Sequence, residues 1–327
     1  MNKKINRIAV FTSGGDAPGM NAAIRAVVRT ATYYDIQVFG VERGYDGMIK
    51  GDIKRLESRH VGNIIHRGGT MLRTARSEEF KTIEGRKKAY DHLKHFEIDA
   101  CVAIGGNGTF TGAKLFSQEY DIPILGIPGT IDNDLYGTDF TIGFDTAINT
   151  AMEAADRIRD TADSHDRLFF IEVMGRASGY IGLFTGIGAG AGGILIPEDD
   201  MDVEQLVEKL KKGVKRKKLF SLVVISEGNM NGGAYEIAEK VKEIYNFFDT
   251  KVTVIGHLQR GGSPSCADRV LASRLGYGAV IGLMNGESNK MVGIIDNELA
   301  FTTFDDAINK TKTFSKDLFA VASILGL

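Results

Sequence analysis

The chain has 327 residues, a length that favours about two domains of ordinary size. Its 40 lysines and arginines nearly balance its 42 aspartates and glutamates, and the formal net charge of −2 argues against wholesale nucleic-acid binding and against a polybasic membrane surface. No apolar run approaches the roughly 18 residues that a membrane span requires, and the first apolar stretch is too short for a signal peptide. The two cysteines form neither a disulfide framework nor a metal cluster, so we expect a cytoplasmic protein with reduced thiols.

Apolar runs alternate with helical patterns along almost the whole chain. The runs that predict strands lie at 7–12, 36–41, 100–104, 122–127, 168–173, 193–196, 220–225 and 252–255. The patterns that predict helices lie at 20–34, 83–96, 110–119, 144–162, 203–212, 234–247 and 268–284. This rhythm predicts an α/β fold whose mostly parallel sheets are flanked by helices on both faces, with a candidate domain boundary around 140–145.

Glycine-rich loops follow two of the predicted strands. In parallel sheets, ligands bind beyond the carboxyl ends of the strands. The first strand is followed by SGGDAPG (13–19), which opens a helix and so offers free backbone N–H groups to an anion; a tight turn without a ligand is the alternative. A second loop, GGNGT (105–109), follows the strand at 100–104. Two such loops in one chain predict a nucleotide or phosphate site.

Two carboxylates follow the strand at 122–127, in the segment PGTIDND (128–134). One of Asp132 and Asp134 can accept a hydroxyl proton, while the other can help to hold Mg²⁺. An Asx turn with solvated carboxylates is the alternative for these residues taken alone.

Several arginines lie in or beside loops, next to glycine or histidine. The guanidinium fork suits phosphate oxygens, so the set predicts a substrate with several phosphates, although each arginine alone suits an ordinary surface position. The set comprises Arg67, Arg73, Arg76, Arg167, Arg176 and Arg260.

The motifs together resemble the bacterial ATP-dependent 6-phosphofructokinases over essentially the full chain. They are GGDAPGMNAAIRAVVR (14–29), RGGT…AR (67–76), GGNGT (105–109), PGTIDND (128–134), EVMGR (172–176) and GHLQRGGSPSCADRVLASR (256–274). The resemblance implies transfer of the γ-phosphoryl of ATP to the 1-hydroxyl of fructose 6-phosphate with Mg²⁺, the committed step of glycolysis. It also implies two similar domains, 1–143 plus 259–309 for ATP and 144–258 plus 310–327 for the sugar phosphate.

The same resemblance assigns roles to individual residues. Asp132 is expected to be the general base, with Arg76, Arg176 and Thr130 in the catalytic set. The expected ATP ligands are Gly15, Tyr45, Arg76, Ser77, Gly106, Asn107, Gly108 and Thr109. The expected sugar phosphate ligands are Thr130, Asp132, Arg167, Met174, Gly175, Arg176, Glu227, Lys251, His257 and Arg260. The family forms homotetramers with shared active sites, so Arg167 and Lys251 are expected to reach in from an adjacent subunit.

The phosphoryl donor is the first point at which alternatives stay open. Pyrophosphate-dependent relatives usually carry GGDDT and a lysine in PKTIDND, whereas this chain has Gly108 and Gly129 at those places. A small residue leaves room for the α-phosphate and adenosine of ATP, so we expect ATP and keep a pyrophosphate-dependent enzyme as the alternative. A kinase acting on NAD or a lipid would match one loop only.

Two residues depart from the family pattern near the expected substrates. Asn107 replaces the aspartate that the family associates with Mg²⁺, which leaves Asp132 and Asp134 as the carboxylate ligands and predicts weaker use of the metal. Asn107 also raises the alternative of a catalytically weak regulatory homologue, against which Asp132 and the arginines argue. Lys251 replaces a 6-phosphate arginine, keeping the charge but losing the bidentate fork.

An effector site for ADP or phosphoenolpyruvate is also implied by the resemblance. Ser58, Gly192 and Phe220 depart from its family pattern, so regulation by these effectors is an open expectation. The cations retained for this site are Arg25, Arg29, Arg159, Arg216 and Lys218.

Overall fold

The computed structural model describes residues 5–162, 167–216 and 221–326 of the chain. The chain divides into two compact units: Met1–Thr130, Leu135–Asp145 and Arg260–Lys312 form the first, and Ile131–Asp134, Thr146–Gln259 and Thr313–Leu327 form the second. Residues 131–134, which the resemblance places in the larger domain, group with the second unit. There the Ser178 hydroxyl donates a hydrogen bond to the Asp132 carbonyl oxygen, 2.8 Å away.

Strands and helices alternate in both units. The strands are β1 (Arg7–Thr12), β2 (Gln37–Val41), β3 (Ile53–Leu56), β4 (Ala100–Gly105), β5 (Ile124–Pro128), β6 (Arg167–Val173), β7 (Gly193–Leu195), β8 (Ser221–Ser226), β9 (Asp249–Val254), β10 (Lys290–Ile295) and β11 (Glu298–Thr303). The helices are α1 (Met20–Tyr33), α2 (Gly44–Lys50), α3 (Ile83–His95), α4 (Asn107–Tyr120), α5 (Phe144–Ala162), α6 (Tyr180–Gly188), α7 (Val203–Lys215), α8 (Ala234–Ile244), α9 (Cys266–Met284), α10 (Phe304–Asn309) and α11 (Lys316–Leu325). The predicted α/β class is confirmed.

The first unit contains a seven-stranded sheet in the order β11-β10-β5-β4-β1-β2-β3. Its five inner strands run parallel, and the edge strands β3 and β11 are antiparallel to their neighbours. The strand order reverses at β1, because β2 is added on one side of it and β4 on the other. Such a switch point opens a crevice at the carboxyl ends of the two strands, where α/β sheets bind ligands.

The second unit contains a four-stranded parallel sheet in the order β7-β8-β6-β9. β6 lies between β8 and β9, so the loops that follow these three strands emerge side by side at one edge. The residues predicted to hold the sugar phosphate follow these same strands, at 174–176, at 227 and at 257.

Each unit has its own hydrophobic core. In the first unit, buried aromatic side chains such as Phe11, Phe110 and Phe116 pack beside the sheet. In the second unit, aliphatic residues of β6, β7 and β8 pack against Leu206 of α7 and Ile237 of α8. These apolar contacts remove nearly all of the inward-facing strand side chains from water, which is the main favourable contribution to stability.

The two cysteines differ in their surroundings. Cys101 is buried in β4, where burial raises the pKa of its thiol to about 12. Cys266 is exposed at the start of α9. Separately, among the described residues no helix combines the length and the apolar character needed to cross a bilayer.

Candidate active site

Both glycine-rich loops lie at the switch point of the first sheet. The 13–19 loop follows β1, and 105–106 joins the adjacent β4 to α4. The two loops are tied together, because the Thr109 hydroxyl donates to the Ser13 carbonyl oxygen at 3.0 Å and the Ser13 N–H donates to the Ile104 carbonyl oxygen at 3.0 Å. A Cβ at Gly105 would lie 2.5 Å from the Ser13 oxygen, so only glycine permits this close approach.

Two helices begin in these loops with uncapped N-termini. The N-caps of α1 and α4 are Gly19 and Gly106, which have no side chain to bind the first N–H groups, and neither first turn contains an acidic residue. Helix N-termini of this kind favour anions through their free N–H groups and the helix dipole. The arrangement can therefore hold phosphate groups at the crevice between β1 and β4.

Arg260 contributes positive charge to the first of these loops. Its Nη1 donates to the Asp16 carbonyl oxygen at 3.2 Å, and a Cβ built on Gly15 would lie 2.7 Å from the same Nη1. The resemblance implies Arg260 as a ligand of the sugar phosphate and Gly15 as a ligand of ATP, and the structure brings the two together within the first unit. Any side chain at position 15 would displace this guanidinium.

The 67–77 segment is positioned by Asn21, a buried residue that the sequence analysis does not single out. Its Nδ2 donates to the carbonyl oxygens of Arg67 and Gly68 at 3.1 Å each, and its Oδ1 accepts from the Met71 N–H at 2.7 Å. Further along, Arg76 is exposed, and the Ser77 hydroxyl accepts from the Phe80 N–H at 3.2 Å.

Tyr45 lies in the core of the first unit. Its ring stacks on Phe80 with centroids 3.9 Å apart, and its hydroxyl donates to the Thr109 carbonyl oxygen at 2.6 Å. Burial raises the pKa of this phenol well above its ordinary value. Tyr45 thus supports the first turn of α4, which carries Thr109, and its hydroxyl is already engaged there.

The two glycines used to distinguish the donors have different surroundings. A Cβ at Gly108 would face open space, with no heavy atom of the described residues within 4 Å. A Cβ at Gly129 would lie 3.0 Å from Met20 Cε and 3.1 Å from Ile104 Cγ2. Room for a ligand therefore exists beside residue 108, whereas the small size of Gly129 serves packing, which corrects the interpretation of that position.

Asp132 is the most buried of the predicted catalytic residues. Its side chain is 4% exposed, and its Oδ2 lies 3.6 Å from Nε of Arg176. The next residue, Asn133, has φ of 51°, a left-handed conformation that turns the chain sharply after the carboxylate. A nearly buried carboxylate can accept a proton from a bound hydroxyl group, and the neighbouring guanidinium favours the charged form that is needed beforehand.

The loop at 174–179 joins β6 to α6, and side-chain oxygens accept hydrogen bonds from four of its backbone N–H groups. Oε1 of Glu227 accepts from Gly175 at 3.2 Å and from Arg176 at 2.7 Å. Oε1 of Gln259 accepts from Met174 at 2.8 Å, and Oε1 of Glu198 accepts from Gly179 at 2.9 Å. Gly175 and Arg176 have φ of 145° and 53°, so these bonds hold a backbone that is otherwise unfavourable.

Two of these three acceptors, Gln259 and Glu198, are not predicted by the motifs. Gln259 is fully buried, and its Nε2 also donates to the Ala147 carbonyl oxygen at 3.2 Å, which links the loop to α5. Glu198 follows β7 and is exposed as a residue, and partial desolvation of its carboxyl group raises the pKa. Gln259 lies inside the GHLQR motif and Glu198 follows a strand. Their positions in the chain could therefore have indicated a place near the site, although their residue types alone do not.

Arg167 and Lys251 share one carboxylate in the second unit. Nε of Arg167 lies 3.0 Å from Oδ2 of Asp249, and Nζ of Lys251 lies 2.8 Å from Oδ1. The hydrogen bond from Lys251 is the main reason that the pKa of Asp249 is lowered, with Arg167 contributing. The structure therefore joins these two predicted phosphate ligands, and an anion bound there competes with Asp249.

The remaining predicted residues lie as follows. His257 is exposed in the 3₁₀ turn Gly256–Arg260, and Thr130 is half-buried, with its carbonyl oxygen accepting from the Thr141 hydroxyl at 2.6 Å. Asn107 and Asp134 are half-buried. Among the described residues, no group of three or more histidine, cysteine, aspartate or glutamate side chains is arranged for a metal ion.

The predicted effector cations fall in both units. Arg25 lies on α1 with Arg29. Its pKa is lowered mainly by burial and to a smaller extent by repulsion from Arg29. Arg159 donates a hydrogen bond to the Ala189 carbonyl oxygen, at the C-terminal end of α6, and Arg216 is exposed at the end of α7. Lys218 and Phe220 lie outside the described residues.

Comparisons with known proteins agree with this geometry. The family model described as Phosphofructokinase matches residues 7–283. An "ATP-dependent 6-phosphofructokinase" of Cytophaga hutchinsonii is 54% identical over 321 residues, covering 98% of both chains. The "ATP-dependent 6-phosphofructokinase 1" of Thermus thermophilus is 53% identical over 323 residues, covering 99% of this chain and 100% of that protein.

Solved structures give the same result. The phosphofructokinase of Saccharomyces cerevisiae has a TM-score of 0.89 at 36% identity, with 99% of this chain covered and 47% of the yeast chain. This chain thus spans about half the length of the yeast one. A pyrophosphate-dependent phosphofructokinase of Marinobacter aquaeolei has a TM-score of 0.83 at 23% identity, covering 98% of this chain and 91% of that one, which supports the fold alone. The resemblance seen in the motifs is confirmed, and the chain belongs to the phosphofructokinase family.

Proposed function

We propose that this chain transfers the γ-phosphoryl group of ATP to the 1-hydroxyl of fructose 6-phosphate, giving fructose 1,6-bisphosphate and ADP. The main support for this activity is the nearly buried carboxylate of Asp132 beside the guanidinium of Arg176. In addition, the first unit presents two glycine-rich loops at the switch point of its sheet. The names of the bacterial relatives, at 50% identity and above over nearly the whole chain, support this activity.

In the reaction, Asp132 accepts the proton of the 1-hydroxyl as its oxygen attacks the γ-phosphorus. The new bond joins that oxygen to phosphorus, the bond from phosphorus to the β,γ-bridging oxygen breaks, and ADP leaves with the electron pair. Phosphoryl transfer depends mostly on positioning and on stabilisation of charge. Arg76 and Arg176 are the proposed cations for the transferred group, and Thr130 is proposed to hold the reacting hydroxyl.

The nucleotide is proposed to lie at the crevice between β1 and β4. Its phosphates face the N-termini of α1 and α4, where Gly15, Gly106 and Thr109 are found. The open space beside Gly108 favours ATP over pyrophosphate as donor, because it accommodates the parts of ATP that pyrophosphate lacks. Arg76 and Ser77 are proposed to contact the nucleotide, and Tyr45 to act through the Thr109 loop.

A divalent cation fits the acidic residues of the 131–134 segment. Asp132 and Asp134 lie two residues apart, Asp132 nearly buried and Asp134 half-buried, and carboxylate oxygens are ligands that Mg²⁺ prefers. Mg²⁺ keeps several waters and takes phosphate oxygens, so Asp132, Asp134 and the neutral amide of Asn107 suffice as proposed ligands. When bound, Mg²⁺ supplies neutralisation of phosphate charge.

The sugar phosphate is proposed to bind the second unit at the loops after β6, β8 and β9. Met174, Gly175, Arg176 and Glu227 would hold the sugar. The cations proposed for its 6-phosphate are Arg167, Lys251, His257 and Arg260. We also propose that the protein is a cytoplasmic homotetramer in which Arg167 and Lys251 serve the adjacent subunit, and that Arg25, Arg29, Arg159, Arg216 and Lys218 bind ADP or phosphoenolpyruvate.

A donor-exchange assay tests the proposal. The purified chain is supplied with fructose 6-phosphate, Mg²⁺ and either ATP or pyrophosphate, and fructose 1,6-bisphosphate is measured by a coupled assay. We expect product with ATP and at least about a hundredfold less with pyrophosphate, the scale of loss when a site lacks its preferred contacts. Equal or greater product with pyrophosphate overturns the choice of donor, and no product with either donor overturns the activity.

A further inference from the structure

The second unit contains a cavity of about 310 Å³ beneath the last helix, which we name the α11 cavity. One wall is Leu183 of α6 with residues 191–194 and 196, and a second is Asp199, Met201 and Lys209. The remaining wall comes from α11 and the residue that ends it, through Phe319, Ala322, Ser323 and Gly326. This volume lies at the small end of the range for ligand sites and holds roughly ten non-hydrogen atoms.

The lining of the α11 cavity combines apolar side chains with the Ser323 hydroxyl, the backbone of residues 191–193 and two charges of opposite sign. Leu183, Ile194 and Met201 are among its apolar residues. The charged members are Asp199 and Lys209, both half-buried. Across the described part of the chain, neither side chain forms an ion pair or a hydrogen bond, although the neighbouring Lys211 pairs with Glu208 at 2.8 Å.

The α11 cavity shares one position with the sites considered above, because Gly192, where the expected effector site departs from the family pattern, contributes to its lining. None of the residues proposed for ATP or the sugar phosphate lines it, and Arg159 and Arg216, the described effector cations of this unit, do not line it either. Its two formal charges cancel, so the lining offers no excess positive charge to a phosphate group. A polyanion such as ADP would face Asp199 as well as Lys209.

We propose that the α11 cavity binds a free α-amino acid with an apolar side chain of the size of leucine or methionine. A zwitterion is the ligand that pairs both charges at once: its ammonium group faces Asp199 and its carboxylate faces Lys209. A ligand with a single charge would leave the opposite protein charge without a partner, which is unfavourable in a partly desolvated site. The apolar lining then receives the side chain and removes it from water.

The cavity also borders α6, the helix that directly follows the loop carrying the proposed sugar phosphate ligands. Leu183 lies on α6, which begins directly after the 174–179 loop. At the other end of α6, Ala191 lines the cavity, and Arg159 binds the carbonyl oxygen of Ala189. A bound amino acid therefore contacts the helix that follows Arg176, which gives the site a path to the sugar phosphate.

Thermal unfolding of the full chain measures the binding. L-leucine and L-methionine are titrated to about 10 mM, with glycine as the control for a zwitterion that lacks an apolar side chain. The analogues 4-methylpentanoate and 3-methylbutylamine each remove one charge. We expect Tm to rise by about 2 °C with leucine, with a saturating dose dependence, and at least tenfold weaker effects with glycine and both analogues.

Variants locate the site. Asp199→Asn and Lys209→Met are expected to weaken leucine binding about tenfold, and Ala322→Phe, which fills the cavity, to abolish it. Asp200→Asn and Lys212→Met, exposed neighbours outside the lining, are expected to bind as the parent chain does. Equilibrium dialysis with labelled leucine repeats the measurement for any variant whose own Tm is altered.

Three results overturn the proposal: no saturable rise with leucine or methionine, equal binding of an analogue with one charge, or unchanged binding by Ala322→Phe. None of these results bears on the donor-exchange assay, so the two proposals fail separately.

Discussion

Nε of Arg176 lies 3.6 Å from Oδ2 of Asp132, yet the arginine side chain is 61% exposed and the aspartate side chain only 4%. The guanidinium thus reaches from solvent to a carboxylate that is almost completely buried. Such a cation compensates the buried charge on one side and can face a phosphoryl group on the other. The loop after β6 thus places the Arg176 guanidinium beside Asp132, the proposed base.

Asp132→Asn is expected to reduce kcat by about 10²–10⁴-fold, because the amide cannot accept the hydroxyl proton. KM for fructose 6-phosphate should change by less than about threefold, since the amide keeps the size and polarity of the side chain. The matched control is Asp121→Asn, at the left-handed end of α4, where asparagine suits the backbone. Steady-state kinetics with near-normal kcat for Asp132→Asn would remove this residue as the base.

Asn107→Asp is expected to lower the Mg²⁺ concentration needed for half-maximal rate, by about threefold to tenfold, or to raise kcat. The added carboxylate at the start of α4 attracts a divalent ion, and water-mediated coordination limits the gain. The measurement is a Mg²⁺ titration at fixed ATP for both chains, with Asn309→Asp, an exposed asparagine, as the control. Identical titration curves and rates would show that position 107 does not contact the metal.

Asp249→Asn is expected to lower KM for fructose 6-phosphate about twofold to fivefold, because it removes the carboxylate that Arg167 and Lys251 share. The pKa of Asp249 is lowered mainly by Lys251, so the carboxylate stays charged down to acid pH. Its small contribution to stability is present above the ordinary aspartate pKa and is lost as pH falls through the lowered value.

The Asp249→Asn effect is therefore expected to be the same across neutral and alkaline pH, and to shrink with added salt. Glu208→Gln, an exposed acid on α7, serves as the control. A rise in KM for Asp249→Asn would mean that the carboxylate orients the two cations more than it competes for them.

Glu198→Ala is expected to raise KM for fructose 6-phosphate about threefold to tenfold while KM for ATP is unchanged. The variant loses the acceptor for the Gly179 N–H and so loosens the loop that carries Arg176. Glu198→Gln keeps an acceptor oxygen and should restore the parent KM. If alanine and glutamine give the same KM, the hydrogen bond does not position the loop.

Stability against pH provides a second readout for Glu198. Partial desolvation raises the pKa of this exposed residue's carboxyl group above its ordinary value of 4.5, so a small favourable contribution is complete below that value and is lost as pH rises through the raised one. Glu198→Gln does not titrate, and its urea midpoint is expected to exceed that of the parent increasingly from about pH 4.5 upward. Parallel midpoints at every pH would contradict this.

The buried strands could be predicted from the sequence because their apolar runs are continuous. β1 is confirmed at Arg7–Thr12, and the long helix α5 at Phe144–Ala162. Elements with mixed or glycine-rich sequences were missed, among them α6, YIGLFTGIG, whose glycines disfavour a helix without tertiary contacts. The hairpin of β10 and β11 was missed too, although Asp296 and Asn297, with φ of 49° and 65°, form a turn typical of paired strands.

The charged residues of the site could be predicted from the sequence, but the residues that hold them in place could not. Motifs identify Asp132 and Arg176, whose charges suit catalysis. Gln259 and Asn21 are buried amides that hold loops by hydrogen bonds. Their residue types alone do not distinguish them from amides that are exposed to solvent. Cys266 is exposed at the start of α9, although free cysteine is usually buried, because the first position of a helix need not face the core.

The short segment Ile131–Asp134 has a practical consequence for engineering this protein. It belongs to the second unit, whereas the chain on either side of it belongs to the first, and each unit is assembled from three separate stretches. Neither unit can therefore be expressed as a fragment with one start and one stop codon. Exchange of a whole unit between homologous genes would require at least five crossovers, so recombination is expected to preserve the pair together.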